Sequence, residues 1–405
     1  MRISTGELKR TRAERRGRIL LTGGTGFLGS HLAAELLRSG YRIFLLARPL
    51  KQQRADERVA KILDWFGIEP EVRRNLQVVE GTIEKPGLGL DGDTLSDCLE
   101  NTFEVIHCAS NTGFAERKRP EVEAANIEGL GNVLEFASRS NCVFFHHLST
   151  AYVAGRREGL CREELVDADD FTNVYEETKA RGERLVSDHC RAAGIRLNIY
   201  RPSIVYGDSR TGRSLLFNAL YYPVKTAVFL KDLYAADILK RGGRKAAAMG
   251  VRRESDGSLY LPIRLEVESA EGINLIPIDH LVAAFTAILD DSLEGGIFHV
   301  VNARQTAMGD LIDYTRRLFN IRGIEPCRPE DFGARPRNAL EILFNNYLEA
   351  YGPYMRDKRT FAMDNARGIL AKRRITCPAF DLEIFSRCMN YAVEVDWGAR
   401  LFGGA

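Results

Sequence analysis

Tyr175 and Lys179 stand four residues apart in the run Tyr175-Glu176-Glu177-Thr178-Lys179. On a helix that spacing puts both side chains on one face. An ammonium beside a phenol favours the phenolate and draws the tyrosine pKa down toward the working pH. Such a phenol can give or take a proton at a carbonyl oxygen while a hydride moves. Ser149-Thr150 precedes it by 25 residues at the end of an apolar run, and the Thr150 hydroxyl is placed to hold the same oxygen. The spacing alone decides little, because Tyr221/Lys225 and Tyr354/Lys358 repeat it. Pro223 interrupts the second pair, and the third lies far from any strand of a nucleotide fold. The competing interpretation of Tyr175/Lys179 is an ordinary exposed helix pair, worth about 0.2–0.5 kcal/mol.

The second chemical signal is Thr22-Gly23-Gly24-Thr25-Gly26-Phe27-Leu28-Gly29. Ile19-Leu20-Leu21 before it is an apolar run fit for a buried strand, and 31–37 resumes with helical periodicity. Gly24-x-Gly26-x-x-Gly29 is the dinucleotide pattern in the context that gives it meaning. Glycine tightens the turn, brings backbone N–H groups to a pyrophosphate and packs helix on strand, with the helix N-terminus facing the anion. About twenty residues on, Arg48 ends the next apolar run, with Lys51 and Arg54 close by. A guanidinium there suits the 2′-phosphate of NADPH, where an acid would suit NADH. A strand-end arginine in solvent is the alternative.

The elements that must position these groups alternate. Strands are expected over 41–47, 76–79, 103–107, 143–148 and 196–200, and helices over 59–65, 122–137 and 175–193. That order predicts an α/β fold: a doubly wound parallel Rossmann-type sheet with a smaller, mainly helical C-terminal substrate domain. Arg201-Pro202-Ser203 closes the sixth strand. After Gly207 the alternation weakens. The stretch 214–239 is apolar and aromatic, as suits an acyl pocket or plain core. Residues 241–256 read as a basic loop, able to meet an acidic carrier protein or simply solvated. Strands are expected near 261–267 and 297–301, a strand and helix over 273–289, a helix over 311–319, and mainly helix and loop from 320 onward. The domains then run 1–16 (a disordered basic tail), 17–208 with 273–302 (cofactor), and 209–272 with 303–405 (substrate).

A net charge of +2 argues against nucleic-acid binding through overall charge. No run of eighteen apolar residues predicts a membrane span. Eight cysteines without ligand or CxxC spacing suit a reduced, cytoplasmic setting. His146-His147 would point to opposite faces of a strand, so no metal is expected.

Taken together, 22–29, Ser149-Thr150, Tyr175/Lys179 and Arg201-Pro202 resemble an extended short-chain dehydrogenase/reductase over about residues 16 to 302. That resemblance implies a Thr150–Tyr175–Lys179 triad, with Lys179 also bonding the nicotinamide ribose. It implies cofactor contacts at Gly23, Thr25, Gly26, Phe27, Leu28 and Gly29, then at Arg48, Thr82, Ile83, Cys108 and Ala109, and at Tyr175, Lys179 and Pro202. Gly81-Thr82-Ile83 stands where such proteins often carry an aspartate near the adenine. The segment 81–90, GTIEKPGLGL, resembles thioester reductases, and 171–179, FTNVYEETK, resembles fatty acyl reductases. His107-Cys108-Ala109, Asn126 with Gly129, and 273–279 are similar to that group too. It reduces acyl thioesters, on coenzyme A or a carrier protein, to aldehydes or alcohols. Alcohol or hydroxysteroid dehydrogenases and nucleotide-sugar epimerases or dehydratases share the triad, and a non-catalytic NADP-binding regulator is the remaining alternative.

Overall fold

The computed structural model describes residues 4–6, 17–50 and 53–403. Most of the basic stretch 1–16, and Lys51, lie outside the described residues. The chain divides into two compact units: Met1–Ser203 with Ile278–Val301 and Thr360–Thr376, and Ile204–Pro277 with Asn302–Arg359 and Cys377–Ala405.

The first unit is built on seven parallel strands: β1 (Arg18–Thr22), β2 (Arg42–Ala47), β3 (Leu76–Glu80), β4 (Thr102–His107), β5 (Phe144–Leu148), β6 (Arg196–Pro202) and β7 (Gly296–Val300). Their order is β7-β6-β5-β4-β1-β2-β3. The strand order reverses between β1 and β4, where Leu21 pairs with Ile106 and Thr22 with His107. A crevice opens at such a switch point, beyond the carboxyl ends of the strands. Strands buried on both faces read as unbroken apolar runs, hence Ile19-Leu20-Leu21 and Phe44-Leu45-Leu46. Leu20, Phe44, Val105, Phe145 and Ile199 form one core with Leu130 and Phe136 of α3 (Gly129–Arg139) and Val186 of α4 (Val174–Ala193). Helices α1 (Phe27–Arg38) and α2 (Ala55–Trp65) follow β1 and β2.

The helix expected over 122–137 is broken. Arg119–Glu123 is α-helical, Ala124–Glu128 is a π turn, and α3 follows. Such widened turns collect at functional sites. This one carries the buried Asn126.

In the second unit the apolar stretch becomes the helix Tyr221–Arg241. Pro223 does not interrupt it, because a proline in the first turn has no intrahelical bond to lose. The stretch expected as a basic loop holds the helix Arg244–Ala248, whose first turn is capped by Asp237 through Lys245 N and Ala246 N, both at 3.0 Å. The chain beyond 320 is not only helix and loop. Ile321–Cys327 is a strand, parallel to Leu259–Glu266, whose alternating burial marks one covered face. Gly323 and Pro326 hid it in the sequence, and its partner lies some sixty residues away.

Residues 360–376 pack with the first unit, although the sequence assigned all of 303–405 to the second. Asn365 Nδ2 donates to Ile297 O at 3.0 Å, Glu163 accepts from Asn365 N and His299 N, and Arg373 pairs with Asp291 at 2.8 Å. These bonds need a partner distant in sequence, so no local pattern announces them.

Candidate active site

The glycine turn is built around one strained position. Gly23 has φ +72°, and a Cβ there would lie 2.5 Å from Ala109 N. Glycine alone fits both the left-handed backbone and the close approach. Gly26 N donates back to Gly23 O at 2.9 Å, and a Cβ on Gly29 would fall 2.3 Å from that same oxygen. The turn therefore closes against Cys108–Ala109 at the end of β4, tied to β1 by Cys108 N to Thr22 O at 3.2 Å.

A cleft of about 720 Å³ opens over this turn, bordered by Gly23, Thr25, Arg48, Thr82, Ile83, Cys108 and Ala109 among others. Of the residues expected to contact the cofactor, Phe27, Leu28, Gly29, Tyr175, Lys179 and Pro202 are not part of its lining. Phe27 and Leu28 open α1, the Phe27 ring sitting edge-on to His31 at 5.2 Å. Pro202 is buried opposite Val300. Ile83 packs where Gly129 leaves room, since a Cβ there would come within 2.8 Å of it, and its carbonyl accepts from Asn132 Nδ2 at 2.7 Å.

Two basic residues border the cleft. The Arg48 side chain is 64% exposed and pairs with Glu84 at 3.3 Å. Half-buried Arg58, on α2, donates to Arg48 O and, at 3.3 Å, to Thr25 Oγ1. Burial lowers its pKa, with the charge of Arg48 adding to that. Arg54 is bound instead to Asp56 at 3.0 Å, and Lys51 lies outside the described residues. Arg58 was not singled out in the sequence. Its signal was there, in the first turns of the helix after β2, but it needed the helix phase to be read.

Asn173 caps α4 by accepting from Glu176 N at 3.0 Å, and left-handed Gly194 ends the helix. Tyr175 and Lys179 face one way from it. The Thr150 side chain lies beside the Tyr175 hydroxyl, near enough to lower its pKa. Lys179 Nζ donates to Leu148 O at 2.5 Å. The structure thus joins Thr150, Tyr175 and Lys179 at the carboxyl end of β5, and the charge of Lys179 is felt at Cys108, in the cleft wall.

The electrostatics differ from the sequence expectation. Burial pushes the Tyr175 phenol above its usual value, the Glu176 charge adds to this, and the neighbouring Thr150 side chain only partly offsets it. The ammonium expected to draw it down is itself lowered by burial to about 8, against Cys108 and Glu183, which raise it. Tyr175 is therefore a protonated donor at neutral pH. Behind Lys179, burial holds His107 at about 3 and His147 well below the ordinary histidine value, with Lys179 adding in both cases. Both imidazoles are neutral, stacked 5.7 Å apart. Arg201 and Glu183 are fully buried and bonded through two contacts of 2.9 and 2.6 Å, bracing α4 on β6.

Asn126 organises the loop after β4. Its Oδ1 accepts from Ser110 Oγ and Asn111 N, and its Nδ2 donates to Asn111 O and Thr178 Oγ1. His146 is committed to Glu104 at 2.8 Å and Tyr200 at 3.0 Å. Among the described residues no three His, Cys, Asp or Glu side chains are grouped to hold a metal, and no helix is long and apolar enough to cross a membrane. All eight cysteines are free thiols.

A turn that only glycine fits, a cleft at the switch point and a helix N-terminus beside it suit a dinucleotide. The family model described as Male sterility protein, an NAD-binding domain, matches residues 21–285. The chain belongs to the male sterility protein family. Fatty acyl-CoA reductase 1 of Mus musculus is 30% identical over 222 residues, 46% of this chain and 43% of its own. A linear gramicidin synthase polypeptide of Brevibacillus parabrevis is 24% identical over 394 residues, 92% of this chain and 7% of that one. The chain thus spans less than half the length of the curated relatives it matches. The crystal structure of the terminal R domain from the myxalamid PKS-NRPS biosynthetic pathway superposes with a TM-score of 0.73 at 21% identity, covering 94% of this chain and 91% of that one. That likeness is one of fold. Within the male sterility family match lie the glycine turn, Arg58, Asn126, Thr150, Tyr175 and Lys179.

Proposed function

We propose that this chain, an oxidoreductase of the extended short-chain dehydrogenase/reductase type, uses NADPH to reduce an acyl thioester carried on coenzyme A or a carrier protein. The observation that carries the reading is the placement of Thr150, Tyr175 and Lys179 together at the end of β5, with the Thr150 side chain beside the buried Tyr175 phenol and Lys179 Nζ on Leu148 O. The thioester is supported by the names of the relatives, fatty acyl-CoA reductase and linear gramicidin synthase, and by the motifs at 81–90 and 171–179.

In this reading the first unit holds the cofactor and the second serves the substrate. The backbone of Gly23 and Gly26 and the start of α1 would hold the pyrophosphate, Thr82 and Ile83 the adenine end, and Lys179 the nicotinamide ribose. Arg48 and Arg58 would hold the 2′-phosphate, which favours NADPH over NADH. When bound, the reduced nicotinamide supplies a hydride to the carbonyl carbon. Thr150 and Tyr175 would donate hydrogen bonds to the carbonyl oxygen as it gains negative charge. Tyr175 is the proton source. Collapse breaks the carbon–sulfur bond: one hydride and one proton convert the thioester to aldehyde and free thiol. A second reduction would give the alcohol.

Purified protein with NADPH and a medium- or long-chain acyl-CoA is expected to release free thiol in step with NADPH loss, read by a colorimetric thiol reagent, with the product identified by mass spectrometry. NADPH oxidation by ketones or aldehydes, with no thiol from any thioester, would overturn the reading in favour of an alcohol dehydrogenase.

A further inference from the structure

The helix Tyr221–Arg241 is apolar on two sides, and only one of them faces the core. Val224, Ala227, Leu230 and Tyr234 pack into the core of the second unit. On the other side Phe229, Leu233 and Leu239 are 55%, 48% and 68% exposed, and among the described residues no other helix exposes three large apolar side chains. A single exposed leucine calls for no explanation. These are not scattered. Lys225, Phe229, Leu233, Ala236 and Lys240 are all exposed and follow one another at intervals of four, four, three and four, so they form one stripe along the helix with a lysine at each end. At 1.5 Å per residue the stripe is about 22 Å long. The charge around it has one sign. Residues 221–253 carry eight Lys and Arg against two acids, Asp232 and Asp237. Asp237 is buried, capping Arg244–Ala248, and Asp232 lies 3.5 Å from Lys231. Lys240, Arg241, Arg244 and Lys245, at the end of the stripe, are exposed and form no ion pair among the described residues.

We propose that this face docks on an anionic lipid surface, with Phe229, Leu233 and Leu239 entering the headgroup–acyl boundary and the cations meeting lipid phosphates. A helix with an apolar stripe and basic flanks lies on a membrane and does not cross it. Lys225 and Lys240 can lay their stems along the stripe and keep their ammonium groups in the headgroup layer. The apolar side chains protrude, which suits a fluid surface that closes around them. The proposal needs nothing from the cofactor cleft and does not rest on the function proposed above.

The test is co-sedimentation of the full chain with vesicles. Phosphatidylcholine vesicles containing about one-third phosphatidylglycerol are expected to bind it, and pure phosphatidylcholine vesicles at least about tenfold more weakly. Binding to the anionic vesicles should fall as salt rises past about 0.1 M. Phe229→Ser, which removes the largest apolar side chain of the stripe, and the double variant Lys240→Gln with Arg244→Gln, which removes two cations, should each lower the affinity about tenfold or more. All three positions are exposed, so the melting temperature of each variant should stay that of the wild type. Absence of binding to the anionic vesicles overturns the proposal, and so does wild-type binding in Phe229→Ser. A chain that ignores both kinds of vesicle but is retained by an acidic carrier protein, and loses that retention in Phe229→Ser, would make this a protein-docking face and overturn the lipid surface.

Discussion

Tyr175/Lys179 and Tyr221/Lys225 have the same spacing, and each tyrosine lies in the first turn of a long helix. Their surroundings make them different groups. The Tyr175 hydroxyl meets another side-chain hydroxyl at a strand end, and buried Lys179 spends its donor on Leu148 O. Tyr221 is fully buried, its hydroxyl takes the backbone N–H of Gly207 at 3.0 Å, and exposed Lys225 lies 6.0 Å from the Trp397 ring centroid. One pair faces a place where a substrate oxygen can be held; the other closes a backbone turn. Spacing nominates a site, and the element opposite the helix decides what the pair does.

The largest expected effect separates the two pairs. Tyr175→Phe should lower turnover by about 10²–10⁴-fold, the usual worth of a general acid, while leaving cofactor affinity in place. Tyr221→Phe should keep kcat and cost stability, about 1–3 kcal/mol for the buried N–H left unpaired. Steady-state kinetics and denaturant melts on both variants check this. Turnover lost in Tyr221→Phe and kept in Tyr175→Phe would exchange the two assignments.

The next effect is a pH profile. Lys179 is an ammonium below about 8 and a neutral amine above it. If the charge is needed, kcat/KM falls roughly tenfold per pH unit beyond 8. Unfolding through this group is not the cause. Its folded value lies below the ordinary 10.5, so between about 8 and 10.5 the unfolded chain binds more protons and stability rises with pH. With His107 held at about 3, these histidines add no acidic limb near neutrality. The alkaline fall should vanish in Lys179→Arg, whatever rate remains. Its persistence there would place the titration on another group.

The Arg48 and Arg58 pair sharpens the contrast inside the cleft. Arg58 is half-buried and held by two acceptors, whereas Arg48 is mostly exposed and shared with Glu84. Arg58→Ala should weaken NADPH binding about 10–100-fold, from a charged hydrogen bond worth about 1.5–3 kcal/mol, with little change for NADH. Arg48→Ala should do less. Fluorescence titration with both nucleotides measures it, and equal wild-type affinity for NADH and NADPH would end the 2′-phosphate assignment.

What was legible in the sequence was local. The glycine turn and Thr150 directly follow strand ends, Tyr175 and Lys179 share one turn of a helix, and the strand alternation is carried by apolar periodicity. What was hidden depended on distant partners or on burial. The strand Ile321–Cys327 exists because Leu259–Glu266 accepts it, and 360–376 joins the first unit through Ile297 and Asp291. The direction of the Tyr175 shift was misread for a related reason. Composition shows an ammonium near a phenol, but not that both are buried and that the ammonium is bonded elsewhere. Phe27, Leu28 and Pro202 were carried over from the family pattern: Phe27 and Leu28 are half-buried at the start of α1, and Pro202 is buried at the end of β6.

The smallest effect concerns Glu84. Its carboxylate borders the cleft and holds Arg48 at 3.3 Å, the side chains being 51% and 64% exposed. An exposed pair of that kind is worth only about 0–1 kcal/mol. In the proposed complex Glu84 opposes the 2′-phosphate twice, by repelling it and by occupying the guanidinium it needs. Glu84→Gln should therefore tighten NADPH binding, by no more than about fivefold on that scale, and leave NADH unchanged. The gain should shrink as salt rises past about 0.1 M, where screening acts over roughly 10 Å. Weaker NADPH binding in Glu84→Gln would mean that the carboxylate positions Arg48 for the phosphate, and the exposed arginine would then rank with Arg58 as a specific contact.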